Sequence, residues 1–427
     1  QTEPQTVELA AVLKKVGWRL LPFMLLLYVA AYLDRINVSF AGLQMNRDLG
    51  FSDAVFGLGA GIFFLGYFIF GVPANLMIER LGARRWISLI MIVWGLVSAC
   101  LITVTNDVGF YLLRFFLGVA EAGFFPGMIL FLTFWFPRKE HGMAVARFMT
   151  AIPVAGVLGG LVAAPVLSLN GFAGMAGWKW LFLTTGSFSA LLGVAVAFYV
   201  ADGPAQAKWL SLEERQVLIN CLAADGRGAR AQKKLILFAS GRLWLLAAIY
   251  FLLTLGMYGF QLWLPQIIKS FDQMSDSCTA LLSAIPALFQ AAGMLTVARL
   301  SDSKGQRRWY VAGSAGLAAV GLILTSLAPN PVLALLALSL TAFGLWGVVG
   351  PFWAIPTATL PRHAAAAGIA LINSVGNLGG FAGPYLVGLI KNSTHSFGAA
   401  LGVLAGSLIF AGLLVLLTGS EAEPAES

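Results

Sequence analysis

Asp34, Arg35, Arg114 and Glu121 are ionisable side chains set inside long apolar stretches in the first half of a 427-residue chain. Charge at membrane depth is costly and marks ion or substrate pathways. The second half carries no charged residue at comparable depth. Arg offers a planar fork of donors to a carboxylate, a more oriented contact than Lys makes. Two such residues suit an anion, including one with two carboxylates. A buried carboxyl is drawn toward its neutral form by desolvation and toward its ionised form by a neighbouring Arg. These opposed effects suit Asp34 and Glu121 to carrying protons. A proton is expected over sodium, because no cluster of carboxylate and carbonyl ligands is evident.

Spacing sorts these groups by helix face. Tyr28, Tyr32, Arg35 and Ser39 form one polar stripe, and Arg114, Gly118 and Glu121 share a face on which Gly118 leaves room between two charges. Asp34 lies about 100° around the helix from Arg35 and need not meet the same ligand. With both acids ionised, the four charges sum to zero, so a bound dianion needs two protons to avoid carrying net negative charge inward. That movement would be opposed by about 2.3 kcal/mol per 100 mV, so at least one proton per carboxylate is expected. The competing reading is a set of structural salt bridges joining the two helices, strongest for Asp34. Arg147 fits a ligand contact or a side chain snorkelling to the interface.

The elements that must hold these residues are membrane helices. The chain is 59% hydrophobic and 11% charged, with mean hydropathy +0.84, which excludes an ordinary soluble domain. Twelve apolar stretches lie near 18–45, 53–79, 86–105, 108–136, 143–168, 178–201, 242–268, 276–300, 309–328, 331–359, 364–390 and 396–418, each long enough to span the bilayer. The formal charge of +8 could suggest nucleic acid, but the cations sit in alternate loops: Lys14, Lys15 and Arg19, then Arg80, Arg84 and Arg85, then Arg138 and Lys139, the linker, and Arg299 to Arg308. Opposite them stand only Arg47, Lys179, Lys269 and Lys391. By the positive-inside rule both termini are cytoplasmic and no nucleic-acid partner is implied. No cleavable signal peptide is apparent. Cys100, Cys221 and Cys278 are too scattered to predict a disulfide or a metal site. No cofactor, nucleophile triad, zinc spacing or phosphate loop is evident, and His141, His363 and His395 sit near loops, so the chain is not read as an enzyme.

The chain also repeats itself. Phe51-Ser52-Asp53 recurs as Met274-Ser275-Asp276 and Arg84-Arg85-Trp86 as Arg307-Arg308-Trp309, both at an offset of 223, and Pro137-Arg138 recurs as Pro361-Arg362 at 224. Matches in one register predict two six-helix bundles of parallel topology, 18–201 and 242–418. They are flanked by a cytoplasmic segment 1–17, a linker 202–241 and an acidic tail 419–427. Ser211 and Glu214 form a capping-box pattern that predicts a short linker helix. At the repeat offset Arg35 maps onto Tyr258, with Gln261 one turn on. Trp353, Asn373 and Asn377 are similar neutral hydrogen-bonding candidates, and as a set they suit hydroxyl groups or an aromatic ring. The many glycines, Gly376, Gly379, Gly380 and Gly383 among them, let helices approach and slide.

Matching loops carry Glu79-Arg80-Leu81-Gly82-Ala83-Arg84 and Asp302-Ser303-Lys304-Gly305-Gln306-Arg307. The acid can cap a helix N-terminus, the basic residues hold helix ends together and Gly permits the turn. With the 6+6 pattern, this loop resembles that of the major facilitator superfamily, departing from it in Glu79 for Asp and Ala83 for a basic residue. The resemblance implies gating roles for Glu79, Arg80, Gly82, Arg84, Asp302, Gly305 and Arg307. Tyr32 to Asn37, together with Arg114 to Pro126, further resembles the anion:cation symporter family, which includes bacterial transporters of tartrate, phthalate, hydroxyphenylacetate and sugar acids and is similar to animal sialin and vesicular glutamate transporters. That resemblance implies substrate contacts at Arg35, Arg114, Tyr32 and Tyr67 and proton carriage by Asp34 and Glu121. The expected protein is a monomeric symporter of the bacterial inner membrane, importing a small hydroxy-dicarboxylate or an aromatic acid with protons. A drug or metabolite efflux antiporter and a non-transporting ligand sensor are the alternatives.

Overall fold

The structure, a computed structural model, describes residues 8–225, 240–272, 274–360 and 362–418. Residues 1–7 of the expected segment 1–17, the linker stretch 226–239 and the acidic tail 419–427 lie outside the described residues. Among the described residues the regular structure is helical: α1 (Leu9–Leu49), α2 (Asp53–Leu81), α3 (Ala83–Cys100), α4 (Asp107–Thr133), α5 (Arg138–Leu167), α6 (Gly177–Tyr199), α7 (Leu212–Ala224), α8 (Gly241–Lys269), α9 (Asp276–Lys304), α10 (Arg307–Ser326), α11 (Pro331–Thr359), α12 (Arg362–Thr394) and α13 (Phe397–Leu416). Eleven are long and apolar enough to cross a bilayer. The twelfth expected span is α12, 33 residues long, whose apolar run is diluted by Asn373, Asn377, Pro384 and glycines. The first span is longer than expected: α1 has 41 residues, about 60 Å at 1.5 Å per residue, and its first turns carry Lys14, Lys15 and Arg19 clear of the apolar segment. Helices α4 and α11, which correspond through the repeat, are both interrupted, at Ala122–Gly123 and at Val348.

The packing is that of two related bundles. In the first half α1 lies against α5 and α6, α2 against α4, and α3 against α4 and α6; in the second, α8 lies against α12 and α13, α9 against α11, and α10 against α11 and α13. Between halves α2 meets α12, α9 meets α5 and α1 meets α8, the pairing a twofold relation between repeats requires. Glycines set the distance of approach. A Cβ on Gly57 or Gly61 of α2 would stand 2.6 Å from Pro384 O or 2.5 Å from Phe381 O of α12, and one on Gly160 of α5 would stand 2.3 Å from Ala280 O of α9. Backbones in direct contact are how membrane helices pack without a hydrophobic driving force between them.

The two ends of the bundle are held differently. On the face distal to α7, Ser52 and Ser275 cap α2 and α9, and the acid that follows each reaches into the other half. Asp53 accepts from Lys391 of α12 at 2.7 Å, and Asp276 accepts from Arg47 of α1 at 2.8 Å and from Lys269. On the opposite face, the side-chain contacts described here each stay within one half or its linker. Lys15 bridges to Glu214 of α7 at 2.7 Å, and Arg19 lies over the rings of Tyr199 and Trp209. The N-terminus of α3 is capped by Asp202, which accepts from Arg84 N at 2.8 Å. Gly82 and Gly305 take the positive φ their turns need, Arg307 donates to Ala354 O at 2.9 Å, and Arg80 and Asp302 are exposed. The side chain of Glu79 lies outside the described residues.

Helix α7 starts at a reciprocal capping box, Glu214 N donating to Ser211 Oγ and Ser211 N to Glu214 Oε2. The Lys15 ammonium first, and the Ser211 N–H second, hold the Glu214 carboxyl below the ordinary Glu range. A depressed folded value means stability that is present above the unfolded pKa and lost as pH falls through the folded one. Hydrogen-exchange protection of α7 should therefore hold from pH 7 to 5 and decline below about pH 4, and Glu214→Gln should lower it already at pH 7. The paired bridges on the distal face make a second expectation. At up to about 1 kcal/mol each, removing both by Asp53→Asn and Asp276→Asn should shift the balance toward opening of that face by as much as about thirtyfold. Labelling of Ser39→Cys in a cysteine-free background by an impermeant maleimide added on that side should accelerate, and pairing Asp276→Arg with Arg47→Asp should restore slow labelling.

Candidate functional site

Arg35 is the hub. Its Nε donates to Glu121 Oε1 at 3.1 Å and its Nη2 to the same oxygen, while Nη1 reaches Tyr258 Oη at 3.4 Å. The rings of Tyr67, Phe63 and Tyr32 stand 5.4, 5.5 and 5.9 Å from the guanidinium carbon, close enough for cation–π attraction. Arg35 keeps 11% of its side chain exposed, whereas Glu121 keeps none. Glu121 is the last residue of the first segment of α4, where the negative end of the helix dipole adds to the cost of a carboxylate. Arg35 offsets both. The other oxygen of the acid, Oε2, is buried without a partner.

Tyr258 is the residue that the repeat places in register with Arg35, and the two are 223 residues apart. Two equivalent positions can touch only near the axis relating the halves, so this cluster lies at the centre of the molecule. Tyr258 also packs on Phe64 of α2, ring centroids 4.2 Å apart.

Arg114 is fully buried one layer away. Its Nε and Nη2 donate to Gly59 O and Ala60 O of α2 at 3.3 and 3.2 Å, its guanidinium lies over Phe63, and Nη1 has no partner. The room expected at Gly118 is occupied. A Cβ there would stand 1.9 Å from Phe63 O, so this glycine brings the α2 backbone against α4 and leaves no space for a ligand between Arg114 and Glu121. In this conformation Nη1 is the one Arg114 nitrogen left uncommitted.

Asp34 turns away, as its angular offset from Arg35 allowed. Its carboxylate accepts from Ser98 Oγ at 3.0 Å, Trp94 Nε1 at 3.2 Å, Asn37 Nδ2 at 3.4 Å and Ser189 Oγ, inside the α1–α3–α6 packing. Asn37 is tied in turn to Thr185 at 2.9 Å. These partners were not anticipated, although Trp94 with Ser98 and Thr185 with Ser189 are polar pairs one turn apart in apolar helices, which is a readable sign of a buried network.

The second half contributes neutral groups at varying distance. Tyr250, not anticipated, stacks on Phe352 and meets Trp353 edge-on, centroids 4.9 and 4.8 Å apart, and its spacing from Thr254 and Tyr258 puts it on one stripe of α8. Asn377 donates to Asn373 O within α12, and both are half-buried. Gln261 is buried one turn from Tyr258 in a separate small cavity. Tyr28 stacks on Phe148 at 4.7 Å, and Arg147 is exposed. The structure thus joins Arg35, Glu121, Tyr258, Tyr32 and Tyr67, and sets Arg114, Asp34, Gln261, Trp353 and the asparagines around them. Among the described residues no cluster of His, Cys, Asp and Glu could hold a metal.

Comparison with known proteins bears on this arrangement. The Major Facilitator Superfamily model matches residues 24–384. A relative from Agrobacterium vitis named "Putative tartrate transporter" is 46% identical over 95% of this chain and 94% of its own length, and the "Quinolone resistance transporter" of Acinetobacter baumannii is 40% identical over 96% of each. Among solved structures, the D-xylose-proton symporter aligns with TM-score 0.74 at 16% identity, covering 93% of this chain and 97% of that one. A bacterial homologue of the lysosomal transporter Spinster, in an inward-facing and occupied conformation, gives TM-score 0.74 at 18% identity, covering 93% and 94%. These likenesses describe the fold, and the sequence relatives are transporters, not enzymes. The chain belongs to the Major Facilitator Superfamily.

Proposed function

We propose that this transporter is a proton-coupled symporter that imports a small organic acid anion, a tartrate-like hydroxy-dicarboxylate ranking first and an aromatic acid second. The observation that carries the reading is the Arg35–Glu121 pair on the axis between the halves, with one guanidinium nitrogen already on Tyr258 of the other half. An incoming carboxylate and the Glu121 carboxylate compete for the same Arg35 donors. Protonating Glu121 frees the guanidinium, so anion and proton bind together, and the exchange leaves the buried charge unchanged. Rocking of one bundle against the other around this centre would then carry both across.

Charge balance asks for at least one proton per carboxylate, and Glu121 supplies the first site. Asp34 is the other acid in the bundle. Ser98 and Ser189 are hydroxyls that donate to it when ionised and accept from it when protonated, so their network tolerates either form. Arg114, with one uncommitted nitrogen, is the second anion contact. The chain is read as a monomer in the bacterial cytoplasmic membrane with both termini inside, as the loop cations favour. The opposite direction, export of an aromatic compound, is favoured by the Tyr250–Phe352–Trp353 wall and by the likeness to the quinolone resistance relative.

Uptake of labelled L-tartrate into energised proteoliposomes separates the readings: accumulation with lumenal acidification supports symport, and loss of preloaded substrate on energising supports export. In the wild type, tartrate affinity should rise as pH falls, by up to about tenfold per unit for one linked proton. Glu121→Gln should keep binding but flatten that pH dependence and abolish accumulation. Arg35→Ala and Arg114→Ala should each abolish binding without loss of expression; binding retained in Arg114→Ala would leave that residue a tie between α2 and α4. Asp34→Asn should reduce the proton count per dianion by one. An unchanged count with lower thermal stability would make Asp34 a structural acid.

A further inference from the structure

A small cavity lies beside the Arg35 cluster, between α1, α5, α8, α9 and α11. Its polar lining is Ser39, Gln261, Ser283 and Gln290, and its volume of about 20 Å³ has room for a single water. Ser39 follows Arg35 by one turn of α1 and Gln261 follows Tyr258 by one turn of α8, so the cavity begins about 6 Å along the helix axes from the cluster. Ser39 and Ser283 give their protons to carbonyls of their own helices, Ile36 O at 2.6 Å and Thr279 O at 2.9 Å. Gln290 differs. It is 2% exposed, and its Nε2 has no hydrogen-bond partner. Across from it, a Cβ on Gly156 of α5 would stand 3.1 Å from Gln290 Oε1, so the glycine keeps the wall beside the amide open. A leucine would fill this position without stranding a polar group. An amide both donates and accepts, which matches a hydroxyl and offers no charge to a carboxylate.

We propose that Gln290, with Gln261, forms a neutral subsite that takes a hydroxyl of the transported acid while Arg35 holds a carboxylate. The proposal rests on the organic-acid reading and deepens it by assigning the contact that selects hydroxylated acids. The span of about 6 Å along the helix axes is within the length of a four-carbon acid held on Arg35, whose hydroxyl would take the place of the water the cavity can hold. An acid of the same length and charge without hydroxyls leaves the amide unpaired, the situation in which polar sites discriminate most strongly.

The test is titration calorimetry on the purified full-length chain with L-tartrate and with succinate, which differ in their hydroxyls. The wild type should bind tartrate more tightly. Gln290→Leu should weaken tartrate binding about tenfold, leave succinate within about twofold, and leave the thermal midpoint of the ligand-free protein unchanged or higher. Equal losses for both acids, an unaffected tartrate affinity, or a lowered midpoint with both affinities reduced would each overturn the subsite while leaving the organic-acid reading in place. A wild type that binds neither acid would remove that reading and the subsite together. If Gln290→Leu does not fold, the near-isosteric Gln290→Met gives the same comparison.

Discussion

A guanidinium and a carboxylate buried together at the centre of a membrane bundle constrain everything around them. Neither Arg35 nor Glu121 could be held there alone, because an unpaired ion in low dielectric is far more costly than a paired one. The pair depends on α1 and α4 presenting Arg35 and Glu121 to each other through their side chains, and α4 is itself seated against α2, whose backbone meets it at Gly118. Around the pair the surroundings are aromatic, Tyr32, Phe63 and Tyr67, which present ring faces to the cation without competing as anions. The Arg35–Glu121 pair is neutral, desolvated and incompletely bonded, with Glu121 Oε2 left over, and the buried Arg114 beside it adds a positive charge and an unpartnered Nη1. Those two atoms are where the arrangement has capacity for a further partner.

The repeat explains why the cluster sits where it does. Helices related by the internal twofold meet in matched pairs, and the glycine contacts of α2 with α12 and of α5 with α9 act as smooth bearings along which backbones can shift. A body with this symmetry would by itself be indifferent to what lies on its axis. Substituting Arg for one member of an equivalent pair and Tyr for the other breaks the symmetry at that point. The charged groups then belong to one half and the neutral ones that face them to the other. Relative motion of the halves changes the Arg35–Tyr258 contact but not the Arg35–Glu121 one.

Much of this was legible in the sequence, for identifiable reasons. Apolar length gave the spans, and the offset of 223 gave the two halves and the equivalence of Arg35 with Tyr258, though not their contact. Helical angle alone separated Asp34 from Arg35. What spacing could not supply was the identity of the neighbour. A glycine between two charges reads equally as a vacancy or as a seat for another backbone, and Gly118 is the second. The Asp34 network needed α3 and α6 to be placed beside α1, and Asp202 needed the chain after α6 to fold back over α3. In each case the missing information was a long-range contact, which periodicity within one helix does not encode.

The two buried acids illustrate how similar residues acquire different work. Both lie in the first half, both are fully enclosed, and both would cost the fold if left bare. Asp34 is satisfied by four neutral donors on its own bundle, so its bonding is complete whether or not a ligand is present. Glu121 is satisfied by one cation through one oxygen. A group whose partner is also the ligand's partner is thermodynamically linked to the ligand, and linkage is reciprocal: whatever proton binding does to anion affinity, anion binding does to proton affinity. Asp34 can join that exchange only by rearranging its hydroxyl donors. Glu121 needs no rearrangement beyond release of Arg35, so of the two buried acids it is the one whose protonation bears directly on the Arg35 donors.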